Sequence, residues 1–177
     1  MKTRFNGGMK LLTLLVAFSG ITHTALAADG TVKFKGNILD TACTVDSGSA
    51  DQTVTLGDVA KAAFKAKDDT AAPTKFSIKL TACPTGTVNV KFDGVSDPAN
   101  LDLLKLDTGQ TATGVAIQIT DAQNNLIKLH ESNSLSAVTV ATDKTATMNF
   151  IARYQATSAT VGSGTANATS QFTVIYN

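Results

Sequence analysis

Tryptophan is absent from these 177 residues, histidine occurs twice and proline three times. With so little histidine, the usual imidazole-built metal and acid–base sites have almost no material. Charged residues make up only 16%, against about 25% in an average globular chain. The formal net charge is +1, so there is no basic surplus of the kind a nucleic-acid binder carries. Low net charge combined with 43% hydrophobic residues also excludes a disordered chain. No apolar run reaches the roughly 20 residues of a transmembrane span. There is no internal repeat, and no linker long enough to split the chain into two folded bodies.

What is present begins with an export signal. Lys2, Arg4 and Lys10 form a basic start, Leu11 to Gly20 an apolar stretch, and Ala25-Leu26-Ala27 a small-residue cleavage site. Residues 1–27 are therefore expected to be removed, with no membrane anchor left behind. The remaining 150 residues hold 12 Lys and Arg against 14 acids, a net charge of −2. They contain one arginine (Arg153), one glutamate (Glu131) and one histidine (His130). Both cysteines, Cys43 and Cys83, lie in this part. In an exported chain such a pair reads as a disulfide, free thiols being the alternative. It would close a 40-residue loop.

Period-2 alternation dominates the mature chain, the mark of half-buried strands. Val32, Phe34, Gly36 and Ile38 share one face. Val54 and Leu56 make a short second stretch, and Phe76, Ile78 and Leu80 lead to Cys83. Val88, Val90 and Phe92 stop at Asp93-Gly94. Val115, Ile117 and Ile119 stop at the polar turn Asp121 to Asn125, beyond which Leu126, Ile127 and Leu129 continue. Met148, Phe150, Ala152 and Tyr154 alternate, and so do Phe172, Val174 and Tyr176. Seven to nine strands at this spacing, without helical patterns between them, predict one all-β, antiparallel sandwich. Val59 to Lys67, rich in Ala and Lys, reads as a loop or a short helical turn.

Little here carries reaction chemistry. A nucleophile–histidine–acid set could use only His130, in Leu129-His130-Glu131 at the polar end of an apolar segment. Most Asp residues lie at turns, where they bond locally. No calcium loop or phosphate-binding glycine loop occurs, and the expectation is a non-enzyme without metal or cofactor. Two features exceed the needs of a self-contained sandwich. The first is the stripe Val32, Phe34, Gly36 and Ile38, placed ahead of Cys43 with a glycine that weakens a strand unless a neighbour approaches closely. The second is the apolar alternation Phe172, Val174 and Tyr176, which runs to the penultimate residue. Both read either as ordinary strands of a closed sheet or as an exchange surface, in which one molecule's strand completes another's sheet.

The sequence resembles the structural pilins of chaperone–usher fimbriae, the type 1 major-subunit branch in particular. The resemblance rests on Gly30-Thr-Val-Lys-Phe-Lys-Gly36 ahead of Ala42-Cys43, on Ser49-Ala-Asp-Gln-Thr-Val54 and on Leu80-Thr-Ala-Cys-Pro84. It continues through Gly114-Val-Ala-Ile-Gln-Ile-Thr-Asp121, Phe150-Ile-Ala-Arg-Tyr-Gln-Ala-Thr157, and Ala166-Asn-Ala168 before Phe172-Thr-Val-Ile-Tyr176. Gly164, fourteenth from the end, and penultimate Tyr176 match the family's terminal signature.

This resemblance implies an incomplete immunoglobulin-like β-sandwich lacking its final strand, with an N-terminal donor strand. Residues 28–40 would be the donor extension and 41–177 the pilin domain. Val32, Phe34, Gly36 and Ile38 would enter a neighbour's groove. Gly164, Phe172, Val174, Tyr176 and Asn177 would form the acceptor groove and the chaperone-binding end. The implied partners are neighbouring pilin subunits, a periplasmic chaperone and an outer-membrane usher, with no nucleic acid, and the implied destination is the extracellular fimbrium. The extension is short for a major rod subunit, so a minor or tip-fibre position stays open. The alternative from another class is a monomeric secreted carbohydrate- or protein-binding β-sandwich, which would need a self-completed sheet.

Overall fold

The computed structural model describes residues 29–132 and 136–176. The expected signal peptide (1–27) and Asn177 lie outside the described residues. The chain divides into two units, Met1–Asn37 and Ile38–Asn177.

In the first unit, residues 30–37 form neither helix nor strand. Val32 and Phe34 are 76% and 91% exposed. The alternation at Val32, Phe34, Gly36 and Ile38 therefore does not form the strand that the period-2 pattern predicts. An extended segment persists in water only when a partner satisfies its backbone and covers its apolar side, and Gly36 adds no side chain to help.

Among its described residues the second unit is built mainly of β-strands, with one helical turn, α1 (Ser47–Ala50), and a 3₁₀ turn at Lys61–Ala63. Its strands are β1 (Thr44–Val45), β2 (Thr70–Thr81), β3 (Thr87–Asp93), β4 (Ser96–Asp97), β5 (Asn100–Leu104), β6 (Val115–Asp121), β7 (Val138–Thr139), β8 (Ala146–Ala156) and β9 (Gln171–Tyr176). They form a six-stranded sheet ordered β1-β2-β8-β6-β5-β4 and a three-stranded sheet ordered β7-β3-β9. Every ladder is antiparallel.

The alternation explains the register. Ile78, Leu80, Met148 and Phe150 from the large sheet meet Val88, Val90 and Phe92 from the small one in a single buried core. Phe92 and Phe150 pack edge to face with centroids 5.1 Å apart, a favoured aromatic geometry. β2 and β8 slip register between Ala71 and Thr74. Pro73 lies in that interval and has no N–H to give the ladder, so a bulge takes up the missing bond.

After β6, the carboxylate of Asp121 accepts bonds from the Gln123 and Asn125 backbone N–H groups at 2.9 and 2.8 Å. That turn sends the chain back, so Ile127 and Leu129 re-enter the core without forming a named strand. The Val59 to Lys67 stretch contains the 3₁₀ turn. β4, β5 and β7 follow no alternation that the sequence announced. Leu103 and Leu104 are both buried while Leu101 is 69% exposed, and β4 and β7 have two residues each.

Cys43 and Cys83 form a disulfide. Cys83 is part of the core, and Cys43 packs half-buried against it. The bond fixes the start of β1 against the end of β2.

Candidate functional site

β9 bonds to β3 along its whole length: Val88 faces Tyr176, Val90 faces Val174 and Phe92 faces Phe172. Among the described residues, nothing pairs with its other edge. Beside that edge the two sheets part into a groove of about 1490 Å³. Residues 51–59 form one wall and residues 161–173 the other. The floor includes Phe76, Ile78, Phe92, Leu104, Ile117 and Tyr154, which belong to the core or pack against it.

The wall at 51–59 explains a sequence signal that did not become a strand. Val54 and Leu56 are half-buried while Thr53, Thr55 and Gly57 are exposed, the alternation expected of a strand. The segment stays outside every sheet. Its side-chain links to β2 are the Gln52 Nε2 bond to the Ser77 carbonyl at 3.2 Å and the weak Thr74 Oγ1 bond to the Thr55 carbonyl at 3.5 Å. The groove meets β9 at Gln171, Phe172 and Thr173.

The opposite wall is held by a strap. The Asp107 carboxylate accepts from the Thr169 N–H at 3.1 Å and from its hydroxyl at 2.9 Å. The Asp107 N–H donates to the Asn167 carbonyl at 2.9 Å, and the Asn167 N–H donates to Gln110 Oε1 at 2.9 Å. Gly164 lies where the strap is tightest. A Cβ there would stand 2.4 Å from Thr111 Oγ1 and 2.5 Å from the Ala112 nitrogen, and its φ is +158°. Gly164 is thus a close-approach position on the groove wall. Asp107 and its strap went unread in the sequence, where Asp107-Thr108-Gly109 looks like an ordinary turn.

β9 is pinned at both ends. The Ser170 hydroxyl donates to the Asp93 carbonyl at 2.9 Å. At the other end the Cys43 N–H donates to the Tyr176 hydroxyl at 2.7 Å, joining the last strand to the disulfide. Phe172 lines the groove. Val174 and Tyr176 pack half-buried against the core from the same face of β9. The floor residue Tyr154 donates to the Ala166 carbonyl at 3.2 Å. Burial, and then the negative charge of Asp58, push its phenol above the ordinary value.

His130, the one histidine among the described residues, pairs with an acid at the surface. His130 Nδ1 is 3.0 Å from Asp93 Oδ1, in an exposed pair that also takes in Lys91 Nζ, 3.0 Å from Asp93 Oδ2. The Asp93 carboxyl is lowered, first by the Lys91 bond and then by that from His130. Among the described residues, no group of three or more His, Cys, Asp or Glu is placed to hold a metal ion. Nor, among them, is any helix long and apolar enough to cross a membrane.

An antiparallel sandwich with an open strand position, closed by a disulfide and ending in an apolar strand, matches what known proteins show. The fimbrial protein family model matches residues 32–177. The chain belongs to the fimbrial protein family. It is 37% identical to a type-1 fimbrial protein subunit of Serratia marcescens, the alignment covering 94% of this chain and 98% of the relative. It is 38% identical to the type-1 fimbrial protein A chain of Salmonella typhi, with the same coverage of 94% and 98%. Among solved structures, a Burkholderia pseudomallei antigen and type I fimbria protein superposes with a TM-score of 0.60 at 38% identity, covering 78% of this chain and 91% of that one. A chain of a chaperone–usher pilus gives 0.63 at 26% identity, covering 85% and 96%. The P pilus rod subunit PapA shares the fold, with 0.65 at 24% identity over 77% of this chain and 100% of that one. This fimbrial chain is therefore a structural pilin of the chaperone–usher type, and family membership implies a non-enzymatic role in surface fimbriae.

Proposed function

We propose that this pilin polymerises by donor-strand exchange. The donor is the extension at residues 28–40, whose Val32, Phe34, Gly36 and Ile38 enter the groove of the next subunit. The acceptor is the free edge of β9 together with the wall at 51–59. The observation that carries this reading is a match of deficits within one chain. The domain exposes a groove with core residues such as Phe76, Ile78 and Phe92 at its floor, and the extension exposes an apolar stripe with no sheet to join. Main-chain bonds to β9 supply affinity, and the alternating side chains supply selectivity.

An open groove with an unpaired strand edge invites aggregation. Before assembly a periplasmic chaperone fills it with a strand of its own and holds the C-terminal end at Asn177. The outer-membrane usher is where the next subunit's extension replaces that strand, and the fibre leaves the cell there. The result is an extracellular polymer supporting adhesion.

Deleting residues 28–38 tests the proposal. The truncated chain should fold with its chaperone and accept a donor peptide spanning those residues, yet fail to extend fibres from like molecules. Fibres of truncated chains alone would overturn the donor assignment.

A further inference from the structure

The outer face of the six-stranded sheet, turned away from the core and the groove, carries a charge pattern of its own. On β2, β8 and β6 the core takes Ile78, Leu80, Met148, Phe150, Ile117 and Ile119, so the alternate positions point outward. These include Lys75, Ser77 and Lys79 on β2, Asn149 and Arg153 on β8, and Gln118 on β6. The outward set holds three cations and no acid, although residues 28–177 hold 12 cations against 14 acids. The one acid within these strands, Asp121, is 2% exposed, and its carboxylate is occupied by Gln123 and Asn125. We propose that this face binds a carboxylated polysaccharide, with the Arg153 guanidinium on a sugar carboxylate and Lys75 and Lys79 attracting the acid groups beside it.

Arg153 is held ready for such a contact. Its Nε donates to Gln118 Oε1 at 2.5 Å and its Nη1 to Asn124 Oδ1 at 3.3 Å. Gln118 in turn donates to Gln155 at 2.7 Å, and Gln155 to Asp68 at 3.0 Å. A guanidinium fixed through this relay has little freedom left to lose when it meets a ligand. Two of its five N–H groups are engaged, which leaves three open. Arg153, Lys75 and Lys79 take part in no ion pair among the described residues. The planar fork of an arginine matches a carboxylate in shape as well as charge.

The ground beside Arg153 suits a sugar. Across the β2–β8 ladder Lys75 faces Ile151 and Ser77 faces Asn149, while Gln118 faces Arg153 from β6. Lys75 is therefore a diagonal neighbour of Arg153, about 7–8 Å away. A cleft of about 440 Å³ lies on this face, lined by Lys75, Ser77, Ala122, Asn149 and Ile151, within the size range of small-ligand sites. Asn124, which holds Arg153, belongs to the same turn as Ala122. The cleft presents an ammonium, a hydroxyl and an amide around one aliphatic residue, partners for sugar hydroxyls. Val95 and Leu101, the exposed large apolar residues of the sheet region, lie off these three strands, so a lipid would find nothing here to bury. No outward position on the three strands is aromatic, which removes the stacking platform that single-stranded nucleic acid uses. Repetition of the subunit along a fibre adds weak single sites into firm retention of a polymer.

Retention of the folded chain on immobilised hyaluronan, beside neutral dextran, tests the proposal. The chain should bind hyaluronan and pass through dextran, and binding should weaken as salt rises. Arg153→Gln should lose at least tenfold in affinity and Lys75→Gln at least threefold. Arg153→Lys keeps the charge without the fork and should also lose at least threefold. Lys91→Gln removes a like charge from the outer face of the other sheet and should stay within twofold. If Arg153→Gln does not fold, as judged by its denaturant midpoint, the double variant Lys75→Gln, Lys79→Gln decides, since neither side chain is part of the relay; it should lose at least tenfold.

No retention on hyaluronan, or losses in Lys91→Gln as large as those in Lys75→Gln, would overturn the site. Full affinity in Arg153→Lys would overturn the role given to the guanidinium. Equal retention on a sulfated dextran or a single-stranded DNA of matched charge density would overturn a carboxylated saccharide as the ligand.

Discussion

Replacing Phe34 by alanine separates the stability of the subunit from that of the fibre. In the free chain this ring is 91% exposed. Its removal should change the folding stability of the subunit by no more than about 0.5 kcal/mol, as for other exposed positions. On the donor-strand proposal, the same ring leaves water in the fibre for a neighbour's groove. Burying a phenylalanine side chain is worth about 1.5–3 kcal/mol, and at 1.4 kcal/mol per factor of ten the loss is about 10- to 140-fold in the equilibrium between bound and released donor. Affinity losses of this kind fall mostly on the rate of leaving. The measurement is the release of subunits from purified fibres in guanidinium, followed by light scattering, beside the denaturant midpoint of the chaperone-bound subunit. The variant fibre should come apart tens of times faster while the subunit midpoint stays put. Fibres dissociating within threefold of the native rate, or a subunit midpoint that falls as far as the fibre's, would refute the reasoning.

Three further outcomes follow from the domain. Replacing both Cys43 and Cys83 by alanine opens a link across 40 residues of sequence, which is worth about 4 kcal/mol in the chain-entropy account. The reduced yield of folded, chaperone-bound subunit and its lower denaturant midpoint would show it. Gly164→Ala forces a Cβ to within 2.5 Å of the Ala112 nitrogen. It should cost about 1–3 kcal/mol as an overpacked site, read as a lower midpoint with the disulfide intact. Asp93 has its carboxyl held below the ordinary 3.8 by Lys91 and then by His130. A depressed folded value means stability that is present above about pH 4 and lost as pH falls through the folded pKa. Asp93→Asn should therefore lower the neutral plateau of a stability–pH curve and flatten its acid limb, bringing the two curves together at low pH.

Much of the fold was legible because alternation reports burial directly. β2, β3, β6, β8 and β9 coincide with the stretches where apolar residues recur at every second position. β5 escaped because its buried pair, Leu103 and Leu104, are adjacent in sequence, while its alternating Leu101 faces water. At Val32–Ile38 and Val54–Leu56 the same pattern produced no strand. Alternation states that a segment is fit to lie half-buried on a sheet; it does not say that the sheet is in the same molecule. The site divides in a similar way. Phe172 and Gly164 are found on the groove wall, and their positions in the terminal pattern had marked them. Asp107, which ties down the same wall through Thr169, is 62 residues from its partner, and no local spacing could announce it.

The pairing of Phe92 with Phe172 joins residues 80 apart, and that of Phe76 with Phe150 joins residues 74 apart. Neither long ladder can begin until most of the chain is available. Loop closure must be met before such distant contacts reward it, which makes sheets of this topology slow to form. β9 follows the other described strands in the chain, and until it docks β3 offers its own free edge and the core lies open along that side. A chain built this way spends a long interval with adhesive surfaces exposed, whatever its final stability, so its yield depends on how quickly those surfaces are covered.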